Sequence, residues 1–231
     1  MNDKIFVLTN IPFSLERGPL FETLRIQPGS DNAKELDELV GEVMETGRPK
    51  ALYKVSFLDE KSADSITMDG VTFTSPALRK NLDSVERVFP YIATCGVEMD
   101  NLEIEKGDMK KKLWIHLIKM KLLEFSGRYL AEQIEKQYKL PRLSTMNPGS
   151  GHASVWPFEQ QKQLFSIFGD VEKRIGVRLT ELLALVPDMS VSGILFPTET
   201  TFQSCQLCRR EKCHGRRAPF NKELWDSINR E

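Results

Sequence analysis

The chain reads as an α+β protein organised around one long helix. Three observations lead there. Apolar residues recur at helical spacing over 109–138 with no proline to interrupt them. Asp69-Gly70 stands between two short β-prone runs, 66–68 and 71–74, which marks a hairpin. The remaining strand and helix patterns are interspersed without the strict β-α-β rhythm of a parallel sheet.

In chain order, the first thirty residues mix apolar runs at 5–8 and 21–26 with Pro12, Pro19, Pro28 and Gly29. They are expected to begin as a strand and end as a surface loop. Ser30-Asp31 caps a helix over 33–46, whose Leu36, Leu39, Val40 and Val43 share a face; Gly47 and then Pro49 end it. Residues 51–58 alternate as a strand. A short helix at 75–82 leads to an apolar strand at 87–94 that runs into Cys95-Gly96.

On the long helix Leu113, Leu117, Met120 and Glu124 form one stripe, and Trp114, Ile118, Leu122 and Phe125 its neighbour. That breadth predicts packing on two sides. Leu140-Pro141 stops the helix. A loop rich in glycine and proline occupies 144–152, and a helix follows at 158–168. Around Pro187-Asp188, 180–186 and 191–196 read as two strands, or as a helix end and a strand. The expected division is one α+β domain over 1–204 and a basic, cysteine-bearing tail over 205–231 packed on it.

Composition narrows the partners. A net charge of −1 gives no reason to expect nucleic acid or an anionic membrane. The most apolar stretch, 113–125, carries His116, Lys119, Lys121 and Glu124 and is too short and polar to span a bilayer. No N-terminal targeting pattern is visible, so the chain is read as cytoplasmic. In a reducing compartment clustered cysteines point to metal or redox chemistry rather than disulfides.

Three of the four cysteines fall within nine positions: Cys205, Cys208 and Cys213. A two-residue gap lets two sulfurs reach one metal from a single turn. The alternative is three incidental thiols in a solvated tail. With only one such pair, an iron–sulfur cluster, 4Fe-4S in type, is read ahead of zinc, and Cys95 is the candidate fourth ligand. Arg209, Arg210, Lys212, Arg216 and Arg217 surround the cysteines. They would offset an anionic thiolate centre, or form an anion patch of their own.

The loop Asn147-Pro148-Gly149-Ser150-Gly151-His152 leads into a helix, so its amides are candidates to line a ligand site. It lacks the P-loop lysine and shows no preceding strand, so a dinucleotide fingerprint is excluded. Three segments together carry more: this loop with Trp156-Pro157-Phe158, the stretch 175–181, and Met189-Ser190-Val191-Ser192-Gly193 followed by Phe196. In order and spacing they resemble the activation domain of cobalamin-dependent methionine synthase, over about residues 30 to 204.

That resemblance implies an α+β fold with a twisted antiparallel sheet and a long central helix. It also implies S-adenosylmethionine binding and reductive remethylation of cob(II)alamin held on a partner. Gly151 falls on the glycine of the family's Arg-Pro-x-Pro-Gly-Tyr loop, and Pro148 matches its first proline if the loop shifts by one. Glu124 stands where the family has a carboxylate near the adenosylmethionine ammonium group. Asn147 replaces the loop arginine that would hold the methionine carboxylate, and His152 replaces the tyrosine. An amide loses the charge assistance of that contact.

Cobalamin, folate and homocysteine modules are absent from the chain, and the cysteine tail is extra. The implied function is a stand-alone reactivation protein for a corrinoid-dependent methyltransferase, with the cluster as electron donor. The alternative is a non-catalytic corrinoid-protein partner with a structural metal and no adenosylmethionine affinity.

Overall fold

A computed structural model describes residues 4–151, 155–199, 202–213 and 216–228. The chain runs β1 (Ile5–Leu8), α1 (Arg17–Leu24), α2 (Asp31–Thr46), β2 (Lys50–Lys54), β3 (Ser56–Lys61), β4 (Ser65–Met68), β5 (Val71–Thr74), α3 (Pro76–Asn81) and β6 (Arg87–Thr94). It continues with α4 (Met109–Tyr138), β7 (Leu143–Met146), α5 (Gln161–Ser166), α6 (Val171–Ile175), β8 (Arg178–Leu179), β9 (Leu185–Val186), β10 (Ser190–Pro197) and α7 (Lys222–Ile228). The α+β class and the long helix are as the sequence predicts.

Strand β6 organises the sheet. One edge pairs with β2 over 91–94 and with β3 over 87–88, and the other pairs with β10 along most of its length. Every pairing is antiparallel; β1 flanks β2, β7 flanks β10, and β4 and β5 extend from β3. The predicted strand at 51–58 is thus two strands divided at Val55, one on each half of β6. The Asp69-Gly70 hairpin forms as predicted between β4 and β5, with both turn residues at positive φ.

Period-two alternation sorts the sheet into two apolar faces. Ala51, Tyr53, Phe89, Tyr91 and Ala93 pack against Leu130 and Ile134 of α4. Leu52 and Ile92, one residue out of phase, pack against Phe168, Val171 and Ile175 around α6. Ser126 is the small residue that lets α4 approach β2, and its hydroxyl donates to the Lys50 carbonyl at 2.7 Å. The N-terminal half of α4 lies under α2, with Leu36, Leu39, Val40 and Val43 against Trp114, Ile115, Ile118 and Leu122.

Packing on two sides of α4 is not observed. Leu113 and Met120 are 54% and 47% exposed, because α2 covers the Trp114–Ile118–Leu122 stripe, the sheet covers Leu130 and Ile134 further along the helix, and neither reaches the Leu113–Met120 stripe. Three helices escaped the sequence reading: α1, α7 and the five-residue α6, too short to show a period. In α1 only Leu20 is buried, so its apolar periodicity is weak; it starts with Pro19 in its first turn, where a proline is tolerated. Helix α7 is held chiefly by Trp225. None of the helices among the described residues is long and apolar enough to cross a membrane.

Candidate functional site

The glycine loop begins where β7 ends. This strand pairs its Met146 with Ile194 and its Leu143 with Pro197 of β10, so the loop does follow a strand, contrary to the sequence reading. Four residues were too few for alternation to show. Its exit is built by Asn147, whose Nδ2 donates to the Tyr91 hydroxyl at 2.9 Å and to the Ser192 carbonyl at 2.8 Å. Tyr91 Oη also lies 3.0 Å from Thr145 Oγ1. Both amide hydrogens of Asn147 are therefore committed inward. The amide does not replace the carboxylate contact that the family resemblance assigned to this position.

Gly193 makes that arrangement possible. A Cβ there would stand 2.3 Å from Asn147 Nδ2 and 2.4 Å from the Met146 carbonyl oxygen. The flanking serines anchor β10 sideways: Ser192 Oγ donates to Gln161 Oε1 at 3.0 Å and Ser190 Oγ to Thr94 Oγ1 at 2.8 Å. The Ser-Val-Ser-Gly motif is thus a docking strip for the loop and for α5.

Gly149 has φ +75 and would drive a Cβ to 2.8 Å from the Phe158 ring. Its N–H donates to the Trp156 carbonyl at 2.9 Å, and Ser150 N–H donates to the Asn147 carbonyl at 3.1 Å, closing a turn. Gly151, at φ +90, faces the Ser204 carbonyl, 3.2 Å from where its Cβ would be. The loop is pinned beneath by Trp156, fully buried edge-on to Phe73. His152 lies outside the described residues.

The contact at Gly151 brings in the tail. Ser204–Leu207 forms a 3-10 turn with Leu207 buried among Met146, Trp156, Phe202 and Trp225. Cys205 and Cys208 are half-buried and Cys213 is exposed. The Arg216 guanidinium laces the segment, donating to the carbonyls of Cys205 at 3.3 Å, Cys208 at 3.1 Å and Ala218 at 3.0 Å, and to that of Arg210. Arg209 stacks on Trp225 with its guanidinium carbon 4.4 Å from the ring centre. Arg217 N–H meets Cys205 Sγ at 3.4 Å. Its charge acts on the buried Tyr91 phenol: burial raises that pKa, while the hydrogen bonds from Thr145 and Asn147 and the Arg217 charge oppose the rise.

Cys95 does not join the other thiols. It is fully buried among Met99, Trp114 and Ile118, with its thiol directed at the Gly96 carbonyl and burial pushing its pKa up to about 12. Such a thiol holds its proton and is a poor ligand. It also follows the Thr94 end of β6, whereas the chain leaves β10 for the tail opposite the Phe89 end. Eight residues of strand are about 25 Å long. The four-cysteine centre expected from the sequence is therefore not formed.

The three tail thiols suit a metal by donor chemistry and are free. Among the described residues, though, no three His, Cys, Asp or Glu side chains converge closely enough to hold an ion. Hydrogen bonds from Arg216 provide the cross-linking that a structural metal would otherwise supply. Glu124 is also set apart: exposed on α4, it pairs with Lys121 at 3.0 Å rather than facing the loop. A surface groove of about 300 Å³ between Pro12, Phe13, Phe125 and Arg128 contains none of the predicted site residues.

The structure thus gathers Asn147, Gly149 and Gly151 with Cys205, and separates Glu124 and Cys95. Tyr91, Thr145 and Arg217 were missed. Tyr91 was hidden in an apolar strand run, and Arg217 is one of five cations around the cysteines that sequence alone does not rank.

These features define an antiparallel α+β domain whose glycine-bearing loop is buttressed by a glycine-bearing strand. Residues 104–215 match the model of the vitamin B12 dependent methionine synthase activation domain, a span that takes in α4, the loop, β10 and the three tail cysteines. The crystal structure of the MetH reactivation domain bound to AdoHcy has the same fold, with a TM-score of 0.59 at 16% identity over 87% of this chain and 81% of that one. No curated protein sequence matches the chain.

Proposed function

We propose that this chain is a reactivation protein for a corrinoid-dependent methyltransferase of the methionine synthase type, binding S-adenosylmethionine at the Asn147–Gly151 loop. The methyl group would pass from the sulfonium to reduced cobalt on the partner. The S–CH3 bond breaks, a Co–CH3 bond forms, and S-adenosylhomocysteine leaves as a neutral thioether. The chain's own residues bind and orient the methyl donor; cobalt is the nucleophile.

One observation carries this reading. The loop in the family-matched span is held in one conformation: Asn147 is bonded to Tyr91 and Ser192, Gly193 is cleared to admit it, and Gly149 and Gly151 are at positive φ. A loop so held needs no further ordering on binding, although its Gly149 and Ser150 N–H groups are already used within the turn. The solved domain of the same fold is described as bound to AdoHcy, which supports the same ligand class here.

Calorimetry with S-adenosylmethionine and S-adenosylhomocysteine tests it, with one-site binding expected. Absence of heat at millimolar ligand overturns it. The second reading, a non-catalytic corrinoid-protein partner, is favoured by the inward commitment of Asn147; it predicts no nucleotide binding together with capture of a corrinoid-loaded methyltransferase.

An iron–sulfur cluster or zinc ion on Cys205, Cys208 and Cys213 is a separable part of the proposal, and methyl transfer does not rest on it. A bound cluster would supply the electron that reduces cobalt. Stoichiometric iron and sulfide in anaerobically prepared protein supports that addition. Metal-free or zinc-loaded protein assigns the electron to an external reductant.

A further inference from the structure

The commitment of Asn147 leaves a chemical gap. The amino-acid end of adenosylmethionine carries a carboxylate, and placing it beside a buried phenol and a Thr-Asn hydrogen-bond cluster is costly unless a cation accompanies it. From Leu143 through Gly151 the strand and loop contain no lysine or arginine, whereas the segment around the tail cysteines has five.

Their geometry separates them. The Arg216 guanidinium is engaged by four backbone carbonyls. Arg209 lies flat on Trp225 and Phe220. Arg210, Lys212 and Arg217 are all exposed, and Arg210 and Lys212 lie beyond the Cys205–Cys208 turn. Arg217 differs on three counts. Its backbone is tied to Cys205 Sγ, its guanidinium has no hydrogen-bond or ion-pair partner among the described residues, and its charge reaches the Tyr91 phenol. Cys205 in turn follows Ser204, whose carbonyl rests on Gly151.

Resting on the adenosylmethionine reading above, we propose that Arg217, delivered by the cysteine tail, is the specificity residue for the ligand carboxylate, and that the Cys205 turn holds it in place. The cation absent from the loop at Asn147 is supplied from 70 residues further along the chain, by the segment tied to Cys205, whose neighbour Ser204 rests on Gly151. Two consequences follow. Affinity for the amino-acid end depends on a side chain outside the loop. It also depends on the chemical state of Cys205, since a bulky adduct on that sulfur displaces the Arg217 N–H from it.

The test uses the full chain and two ligands, S-adenosylhomocysteine and methylthioadenosine, which share the nucleoside and thioether and differ in the amino-acid carboxylate. Calorimetry is run on wild type, Arg217→Ala, Arg217→Lys and Cys205→Ser, with the unfolding temperature of each variant as the folding control. Arg217→Ala is expected to weaken S-adenosylhomocysteine binding about 10- to 100-fold, as loss of a charge-assisted contact does, and to leave methylthioadenosine within about twofold. Arg217→Lys recovers part of the loss. Alkylating wild-type Cys205 weakens S-adenosylhomocysteine selectively, and Cys205→Ser is spared that effect.

Equal affinities for S-adenosylhomocysteine in wild type and Arg217→Ala, or equal losses for both ligands, overturn the proposal while leaving the functional reading intact. No binding of either ligand by wild type overturns both.

Discussion

Replacing Gly193 by alanine adds one methyl group at the point where β10, β7 and the loop meet. The new Cβ would lie 2.3 Å from Asn147 Nδ2, 2.4 Å from the Met146 carbonyl oxygen and 3.0 Å from Tyr91 Cε1. The Met146 oxygen is backbone held in the β7–β10 ladder, so it cannot swing aside as a flexible side chain would. Asn147 must leave, losing its bonds to Tyr91 and Ser192, about 2 kcal/mol together. Parting the strands adds about 1–3 kcal/mol of overpacking. For a chain of this size each kcal/mol moves the unfolding temperature by about 2–4 °C, so a fall of roughly 6 to 20 °C is expected.

Thermal unfolding followed by circular dichroism measures it, with Gly41→Ala as the matched control. Gly41 lies within α2 with nothing within 4 Å of a Cβ, so the same methyl group should stabilise by about 1 kcal/mol through helix propensity. A Gly193→Ala protein that melts within about 2 °C of wild type would refute the assignment of β10 as the strip on which the loop is built.

Two other sites yield expectations of the same kind. Lys54 Nζ and Asp69 Oδ1 pair at 3.1 Å with side chains 7% and 14% exposed, and Ser56 also donates to Asp69. Asp69→Asn keeps the shape and tolerance of positive φ but removes the charge, and should cost about 3 kcal/mol in urea unfolding; a loss under about 1 kcal/mol refutes the buried pair. Cys95 has its thiol pushed up to about 12 by burial from an ordinary value of 9.0. Between those values the unfolded chain releases the proton and the folded one retains it, so stability present below pH 9.0 declines as pH rises towards about 12. Cys95→Ala should lose up to about 1.4 kcal/mol per pH unit less than wild type in that window. Parallel slopes would show that the thiol is not buried as described. Alkylation of native protein near pH 8, read by mass spectrometry, should mark the tail cysteines and spare Cys95.

The reactivation reading and the Arg217 proposal meet at the contact between Gly151 and Ser204. Through it the tail would be part of the proposed ligand site, and chemistry at Cys205 would act one residue away from that contact. That gives the three cysteines a role with or without a bound metal: Arg216 organises their backbone, and Arg217 projects from it.

What could be read along the chain is what neighbours in the chain decide. The length of α4 follows from an uninterrupted helical period, the β4–β5 hairpin from Asp69-Gly70, and the cap of α2 from Ser30, whose hydroxyl accepts from the Ala33 N–H. The loop and Gly193 were singled out only through the order and spacing of three segments that resemble a known family, and the structure supplies the steric reason for the glycine. Proximity is another matter, since it depends on strand register and on which faces are covered. Cys95 and the tail looked like parts of one centre until the β6–β10 register put them at opposite ends. Asn147 looked like a ligand-facing amide until Tyr91 and Ser192 took both of its hydrogens. And Arg217 became distinct among five tail cations through folding alone, because its N–H meets Cys205 Sγ, next to the Ser204 carbonyl that rests on Gly151.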